Sequence, residues 1–324
     1  MRTFKSAFVV NFRALRIHRC RDLSLDMESR PIRLSELRVG AIINSSSGGC
    51  DSKSEAEMVG LLQHAGLINC KIWCGAAGDI GRLFAEAATH QLELLIVLGG
   101  DGTVRTAAEM CSRAGSYLIP LPGGTMNMLP RALYGDVSWQ DALKNTLADP
   151  ATKVLSGGRV ADNLFFVAAV IGAPALWVEA RESIREGDVR GAVEKGVVAL
   201  QRMFDNKTQY SISPEINGQA EVIAVICPLI SEEMAESEQA FEAAVIDVEN
   251  ASELIGLASV AAFGKWREDK RVTLSKTQRV TVQSTKQIPS FLDGERVSVG
   301  KKAEICFVAR TVNVLVPGSS VDKE

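Results

Sequence analysis

Leu92-Glu-Leu-Leu-Ile-Val-Leu98 runs straight into Gly99-Gly100-Asp101-Gly102-Thr103. The apolar run has the composition of a buried parallel strand. Val104-Arg-Thr-Ala-Ala-Glu-Met-Cys-Ser-Arg113 reads as the helix that follows it. A glycine-rich turn between strand and helix leaves backbone N–H groups pointing outward beside the positive end of the helix dipole. That is a phosphate cradle. Asp101 stands among glycines that permit close approach, so its carboxylate is expected to orient magnesium or a nucleotide rather than to touch phosphate.

The flanking sequence repeats the pattern. Leu37–Ile43 is a short apolar strand that ends in Asn44-Ser45-Ser46-Ser47-Gly48-Gly49. A helix is expected from about Ser54 to Ala65, with Ser54 as N-cap and Glu57 completing a capping box. A strand near Asn69–Cys74 and a helix ending at His90 follow. Ser116–Pro122 is a further strand, ending in Gly123-Gly124-Thr125-Met126-Asn127 before a helix that carries Arg131. Such alternation implies an α/β fold whose parallel sheet is covered on both faces, with ligands at the carboxyl ends of its strands. Three loops rich in Gly, Ser and Thr fall at those ends.

Beyond a helix near Trp139–Leu147 the pattern changes. Lys153–Val160, Leu164–Val170, Gln209–Ile216, Ala220–Pro228, Ala243–Val248, Arg271–Leu274, Arg279–Gln283, Lys302–Ala309 and Thr311–Val316 read as strands without regular helical crossovers. They suit an antiparallel, sandwich-like region. Helices are expected at Leu176–Phe204 and Asn250–Phe263. The resulting division is an N-terminal extension at 1–37, an α/β domain at 38–150 and a β-rich domain at 151–310. Residues 311–324 form a last strand returning to the first domain, and a tail.

The 324 residues, 46% of them hydrophobic, suffice for two cores. A formal net charge of −3 argues against a dedicated nucleic-acid binder. Residues 1–38 carry nine Lys/Arg against four Asp/Glu, which suits a membrane-touching arm, a targeting segment or a loose extension. Residues 231–249 hold seven acids and no base, and 264–286 hold seven bases and two acids. Opposed blocks are ordinarily solvated faces. With Phe263 and Trp266, the basic one is also a candidate membrane-interface patch. Seven scattered cysteines without C-x-x-C suit reduced thiols and a cytoplasmic setting.

No G-x-x-x-x-G-K-[ST] and no G-x-G-x-x-G occurs, so P-loop and dinucleotide-dehydrogenase readings find no support. There is no G-x-S-x-G elbow either. Far downstream stands Phe291-Leu292-Asp293-Gly294-Glu295, an Asp-Gly bend flanked by two carboxylates. Alone it reads as a hairpin turn. Beside phosphate loops it can bring a carboxylate over the phosphates, where phosphoryl transfer to an alcohol needs a proton acceptor.

Asn44–Gly48, Gly99–Thr103, Pro122-Gly-Gly-Thr-Met-Asn127 with Leu129-Pro-Arg131, and Leu292–Glu295 together resemble the diacylglycerol kinase catalytic family in order and spacing. They match its N-P-x-S-G, GGDGT, G-T-x-N and D-G-E segments, with Ser45 standing for the proline. The resemblance runs from about residue 38 to Pro317. It implies a two-domain kinase with an active site in the cleft. ATP would be held by Asn44, Ser45, Ser46, Ser47, Gly48, Gly99, Gly100, Asp101, Gly102, Thr103, Gly124, Thr125 and Asn127. Asp101 would position Mg2+, and Glu295 would accept the proton with Asp293 beside it. Between Glu295 and Asp101 the base stays open.

The expected acceptor is diacylglycerol or a related long-chain lipid at a membrane surface, met by a cytoplasmic, peripherally associated enzyme. A homodimer stays open. A soluble-substrate kinase of the NAD kinase kind, which also carries GGDGT, is the alternative. So is a non-catalytic lipid- or nucleotide-binding homologue.

Overall fold

The computed structural model describes residues 32–172, 207–231, 234, 239–248 and 266–320. The expected extension up to residue 31, the helices at Leu176–Phe204 and Asn250–Phe263, and Phe263 of the basic block lie outside the described residues.

The first half alternates: β1 (Val39–Asn44), α1 (Ser54–His64), β2 (Lys71–Gly75), α2 (Ile80–Ala88), β3 (Leu94–Gly99), α3 (Asp101–Ala114), β4 (Tyr117–Pro122), α4 (Met128–Tyr134) and α5 (Trp139–Ala148). Strands then dominate: β5 (Pro150–Val160), β6 (Asn163–Phe165), β7 (Ala168–Gly172), β8 (Thr208–Ser211), β9 (Asn217–Ala220), β10 (Val222–Ile226) and β11 (Phe241–Ile246). The chain continues through β12 (Val272–Thr277), β13 (Arg279–Gln283), β14 (Ser290–Leu292), β15 (Glu295–Arg296) and β16 (Lys302–Pro317).

Two sheets result. The larger has the order β2-β1-β3-β4-β16-β13-β8-β9, with β5 and β6 attached through β16. Strands β1 to β4 pair in parallel, as expected of near-continuous apolar runs covered by helices. Every residue of β3 is buried. The smaller sheet, β12-β11-β10-β7-β14-β15, is antiparallel throughout. The fold is therefore the expected α/β arrangement with a second, antiparallel sheet.

One core packs Leu95, Val97, Val104, Ala108 and Leu118 against Phe166 and Val167. A second packs Phe165, Ile171, Ile223 and Phe241 against Val280, Val282 and Ile305. Neighbours 165 and 166 thus face different cores, and the link between β6 and β7 joins the two.

Local expectations needed correction at several places, among them these four. First, α3 begins at Asp101, three residues before the expected Val104, because extended Gly100 is its N-cap. Asp101, Gly102 and Thr103 therefore form its first turn. Second, Ser54 is inside α1 rather than capping it; Lys53 is the N-cap, and its side chain makes no capping bond. Asp51 does the local work instead, its Oδ1 accepting from the Lys53 N–H and the Ser54 hydroxyl at 2.9 Å each.

Third, Leu164–Val170 is split into β6 and β7. Fourth, the two strands expected at Lys302–Ala309 and Thr311–Val316 are one, β16. A bulge between Val308 and Val312, with Arg310 at φ 49°, absorbs the apparent break. Its far end pairs in parallel with β4, Asn313 opposite Tyr117.

Three arginines of the basic block pair with acids of the fold. Arg267 Nε lies 2.7 Å from Oε1 of the buried Glu242, with the Arg267 side chain itself 11% exposed, and Trp266 stacks 4.5 Å from the Arg267 guanidinium. Arg271 and Arg279 pair with Asp269 at 2.6 Å and Glu304 at 2.9 Å.

Candidate active site

The three polar loops meet at the carboxyl ends of β1, β3 and β4. Each is held by the others through hydrogen bonds. Asn44 Nδ2 donates to Thr103 Oγ1 at 3.1 Å, and the Gly100 N–H donates to Ser47 Oγ at 3.1 Å. The Gly49 N–H reaches the Gly123 carbonyl at 2.8 Å, and the Gly123 N–H reaches the Gly99 carbonyl at 3.0 Å. Ser46 Oγ accepts from the Ala77 N–H at 3.2 Å. Ser45 uses its backbone: its N–H donates to the Gly75 carbonyl at 2.9 Å. Proline has no such donor, so serine here ties the first loop to the end of β2.

Backbones approach closely at this junction. A Cβ on Gly124 would lie 2.6 Å from the Gly100 Cα, a contact no rotamer can relieve. Gly124→Ala is expected to push the second and third loops apart. It should lower stability by roughly 1–3 kcal/mol and weaken nucleotide binding. Thermal melting and ATP titration check this; an alanine variant with both properties unchanged contradicts the packing.

Gly102 marks the meeting with the downstream turn. A Cβ placed there would be 3.2 Å from Glu295 Cδ and 3.4 Å from its Oε1, so the Glu295 carboxyl rests on the first turn of α3. The turn itself has Asp293 at φ 48° and Gly294 at φ 82°, the left-handed pair that a two-residue hairpin requires. Gly294 packs over the third loop, where a Cβ would meet Met128 Sδ at 3.2 Å and Met126 Sδ at 3.4 Å.

The three carboxylates have different surroundings. Asp101 Oδ2 accepts from the Asn127 N–H at 3.0 Å, and its Oδ1 accepts from the Met128 N–H at 2.5 Å. It thus binds the start of α4 and holds the third loop. Asn127, at φ 52°, completes the lock by accepting from the Gly124 N–H at 2.7 Å and donating to the Gly124 carbonyl at 2.9 Å. Burial raises the Asp101 carboxyl above its usual range, the two N–H donors oppose that, and the Glu295 charge adds to it.

Asp293 is 3% exposed and turned inward. Its carboxylate accepts from the N–H groups of Phe166 (2.8 Å), Val167 (2.8 Å) and Ala168 (3.0 Å). Its side chain is an anchor for the turn, directed into the link between β6 and β7. Glu295 is exposed.

Burial lifts the Asp293 carboxyl from 3.8 to about 6, against the pull of the three N–H donors and Arg105. A raised folded value means that the folded protein holds this proton more tightly than the unfolded chain. The stabilisation is full below the unfolded value and is lost as pH rises through the window from about 4 to 6, on the order of 3 kcal/mol. Asp293→Asn removes that titration. Its urea midpoint is expected to fall less than the wild type's between pH 4 and 7; parallel curves contradict the assignment.

The helix start leaves the N–H groups of Asp101, Gly102 and Thr103 without intrahelical acceptors, at the positive end of a fourteen-residue helix. An anionic phosphate chain suits that end. Among the described residues no cluster of three or more His, Cys, Asp or Glu stands ready for a metal. Mg2+ bound with phosphates needs only one or two carboxylates, a role for which Asp101 and Glu295 would be the candidates.

Residues 38–159, which contain the first three loops, match the sequence model of the diacylglycerol kinase catalytic domain. Over these residues the chain is similar to that kinase family. A diacylglycerol kinase of Bacillus subtilis (strain 168) is 23% identical over 318 residues, 88% of this chain and 98% of the relative. A diacylglycerol kinase of Mycobacterium tuberculosis (strain H37Rv) is 28% identical over 139 residues, 42% of this chain and 45% of the relative. Two crystal structures from Bacillus anthracis str. Sterne, one of a diacylglycerol kinase, share the fold with TM-scores of 0.67 and 0.62. Their identities are 17% and 15%, and each alignment covers 88% of this chain and 99% of the other.

The fold brings Asn44, Ser47, Gly99 to Thr103, Gly124, Asn127 and Glu295 together. Asp293 belongs to the same turn but points away from it. Sequence reading missed the anchor made by the amides of 166–168, since backbone donors carry no residue signature. It also missed Arg105, which sits one helical turn after Asp101.

Proposed function

We propose that this chain transfers the γ-phosphoryl group of ATP to a hydroxyl of diacylglycerol or a related long-chain lipid, with Glu295 as proton acceptor. The observation that carries the reading is the contact of the exposed Glu295 carboxyl with Gly102, in the helix turn best suited to bind phosphate. Of the three acidic side chains, Asp101 and Asp293 are engaged by backbone N–H groups, and Glu295 is the exposed one.

The first-turn N–H groups of α3 would bind the phosphate chain, and Asn44 with Ser47 would hold the first loop against it. Asp101 would keep the third loop in place and, together with Glu295, face the metal. Mg2+, when bound, offsets phosphate charge and favours departure of the ADP oxygen. The acceptor oxygen attacks the γ-phosphorus, its proton passes to Glu295, and the bond to the ADP oxygen breaks. Asp293 acts only through the turn it anchors.

A long-chain acceptor lies in a bilayer, so the reading carries a peripheral membrane encounter and a cytoplasmic enzyme with it. Among the described residues no helix is long and apolar enough to cross a membrane. The test offers the protein MgATP with vesicles containing diacylglycerol or a long-chain amino alcohol, and separately with NAD. Phosphorylation of a vesicle lipid supports the reading. Phosphorylation of NAD alone, or ATP binding without product on any acceptor, replaces it.

A further inference from the structure

Helix α3 carries Asp101, Arg105 and Glu109 at steps of four residues, so the three share one face. Each is tied to a different element. Asp101 binds the start of α4, and Glu109 Oε1 accepts from the Leu164 N–H in β6 at 3.0 Å. Arg105 Nη1 lies 3.4 Å from the carbonyl oxygen of Leu292, the residue that enters the Asp293-Gly294-Glu295 turn. The loop chemistry already described uses Asp101 alone of the three.

We propose that Arg105 is a positioning residue for phosphoryl transfer, clamping the Leu292–Glu295 turn to α3 so that the Glu295 carboxyl stays over Gly102. The inference rests on the role proposed above for Glu295. Three features make arginine suited to the task. Its planar fork can hold a carbonyl while staying near a carboxylate, which a point-charge ammonium does less well. It is part-buried, so its contact is only partly screened by water. The charge of Arg105 also acts on the buried Asp293 carboxylate, whose other neighbours are the amides of 166–168 and the Cys227 thiol. The turn is thereby held from two sides, by backbone amides inside and by α3 across the cleft.

The test compares wild type, Arg105→Met and Arg105→Lys by two independent readouts. Hydrogen exchange follows the Asp293 and Val297 amides, which donate to the Ala168 and Ser290 carbonyls at 2.9 and 3.0 Å. Kinetics separates kcat from KM. In Arg105→Met these amides are expected to exchange at least about tenfold faster while β3 and α3 keep their protection. kcat should fall by about ten- to a hundredfold with KM for MgATP changed by less than about twofold, and Arg105→Lys should recover part of both.

Unchanged exchange in the turn overturns the proposal. So does faster exchange with unchanged kcat, or a raised KM for MgATP without loss of kcat, which marks a nucleotide contact instead. A general loss of protection in the Met variant moves the decision to the Lys variant, where the same outcomes apply. If the wild type phosphorylates no lipid, the function proposed above fails, and the exchange measurement still decides the clamp.

Discussion

Glu295→Gln is expected to lower kcat by roughly 10²- to 10⁴-fold, the usual contribution of a positioned general base. Nucleotide affinity should hold within about twofold, because the amide keeps the shape of the side chain and removes only its capacity to take a proton. The thermal midpoint should also hold. Glu295 is exposed at a two-residue strand, and no packed core depends on it. Loss of its charge should also lower the Asp101 carboxyl, since Glu295 contributes to its elevation. A glutamine variant with near-normal turnover contradicts the role of Glu295, and one that also unfolds early contradicts its placement at the surface.

Asp101→Asn should fail for a different reason. Asp101 accepts two backbone N–H bonds from Asn127 and Met128 through its two oxygens. An asparagine keeps one acceptor and turns an NH2 group against the other N–H. Leaving such a donor without a partner costs about 1–3 kcal/mol. The third loop, which closes on Gly100 through Gly124, then loses its hold. The expected result is a lower thermal midpoint and weaker ATP binding together with the fall in turnover. Comparing the two variants by ATP titration separates the carboxylates: affinity retained in Glu295→Gln and lost in Asp101→Asn. Equal affinity in both contradicts the division of roles.

Much of this architecture is legible in the residues. The all-apolar β3 and the glycine loop after it specify a buried parallel strand feeding a helix, and β1 and β4 repeat the arrangement. The Asp-Gly pair specifies the hairpin before Glu295. What sequence hides is which way each carboxylate turns. Asp293 and Glu295 are two residues apart in one tight turn, yet the first is drawn inward by the amides of 166–168 and the second is left outside. Backbone donors from a distant strand decide that, and they have no sequence signature. The start of α3 was misplaced for a related reason. Glycine is a poor interior helix residue, so Asp101-Gly102-Thr103 reads as loop, whereas the first turn tolerates glycine because its N–H groups have no helical acceptors to lose. The Lys302–Pro317 strand escaped reading as one element because its bulge at Arg310 interrupts the alternation.

The central claim is that the cleft between Gly99–Thr103 and Glu295 phosphorylates a lipid hydroxyl. The most direct test incubates the purified protein with γ-labelled MgATP and a total lipid extract, then identifies the labelled product by mass. A single class of lipid is expected to gain one phosphoryl group on a hydroxyl, and that product is expected to be absent when Glu295→Gln replaces the wild type. Label on NAD and on no lipid, or equal lipid labelling by the variant, would contradict it.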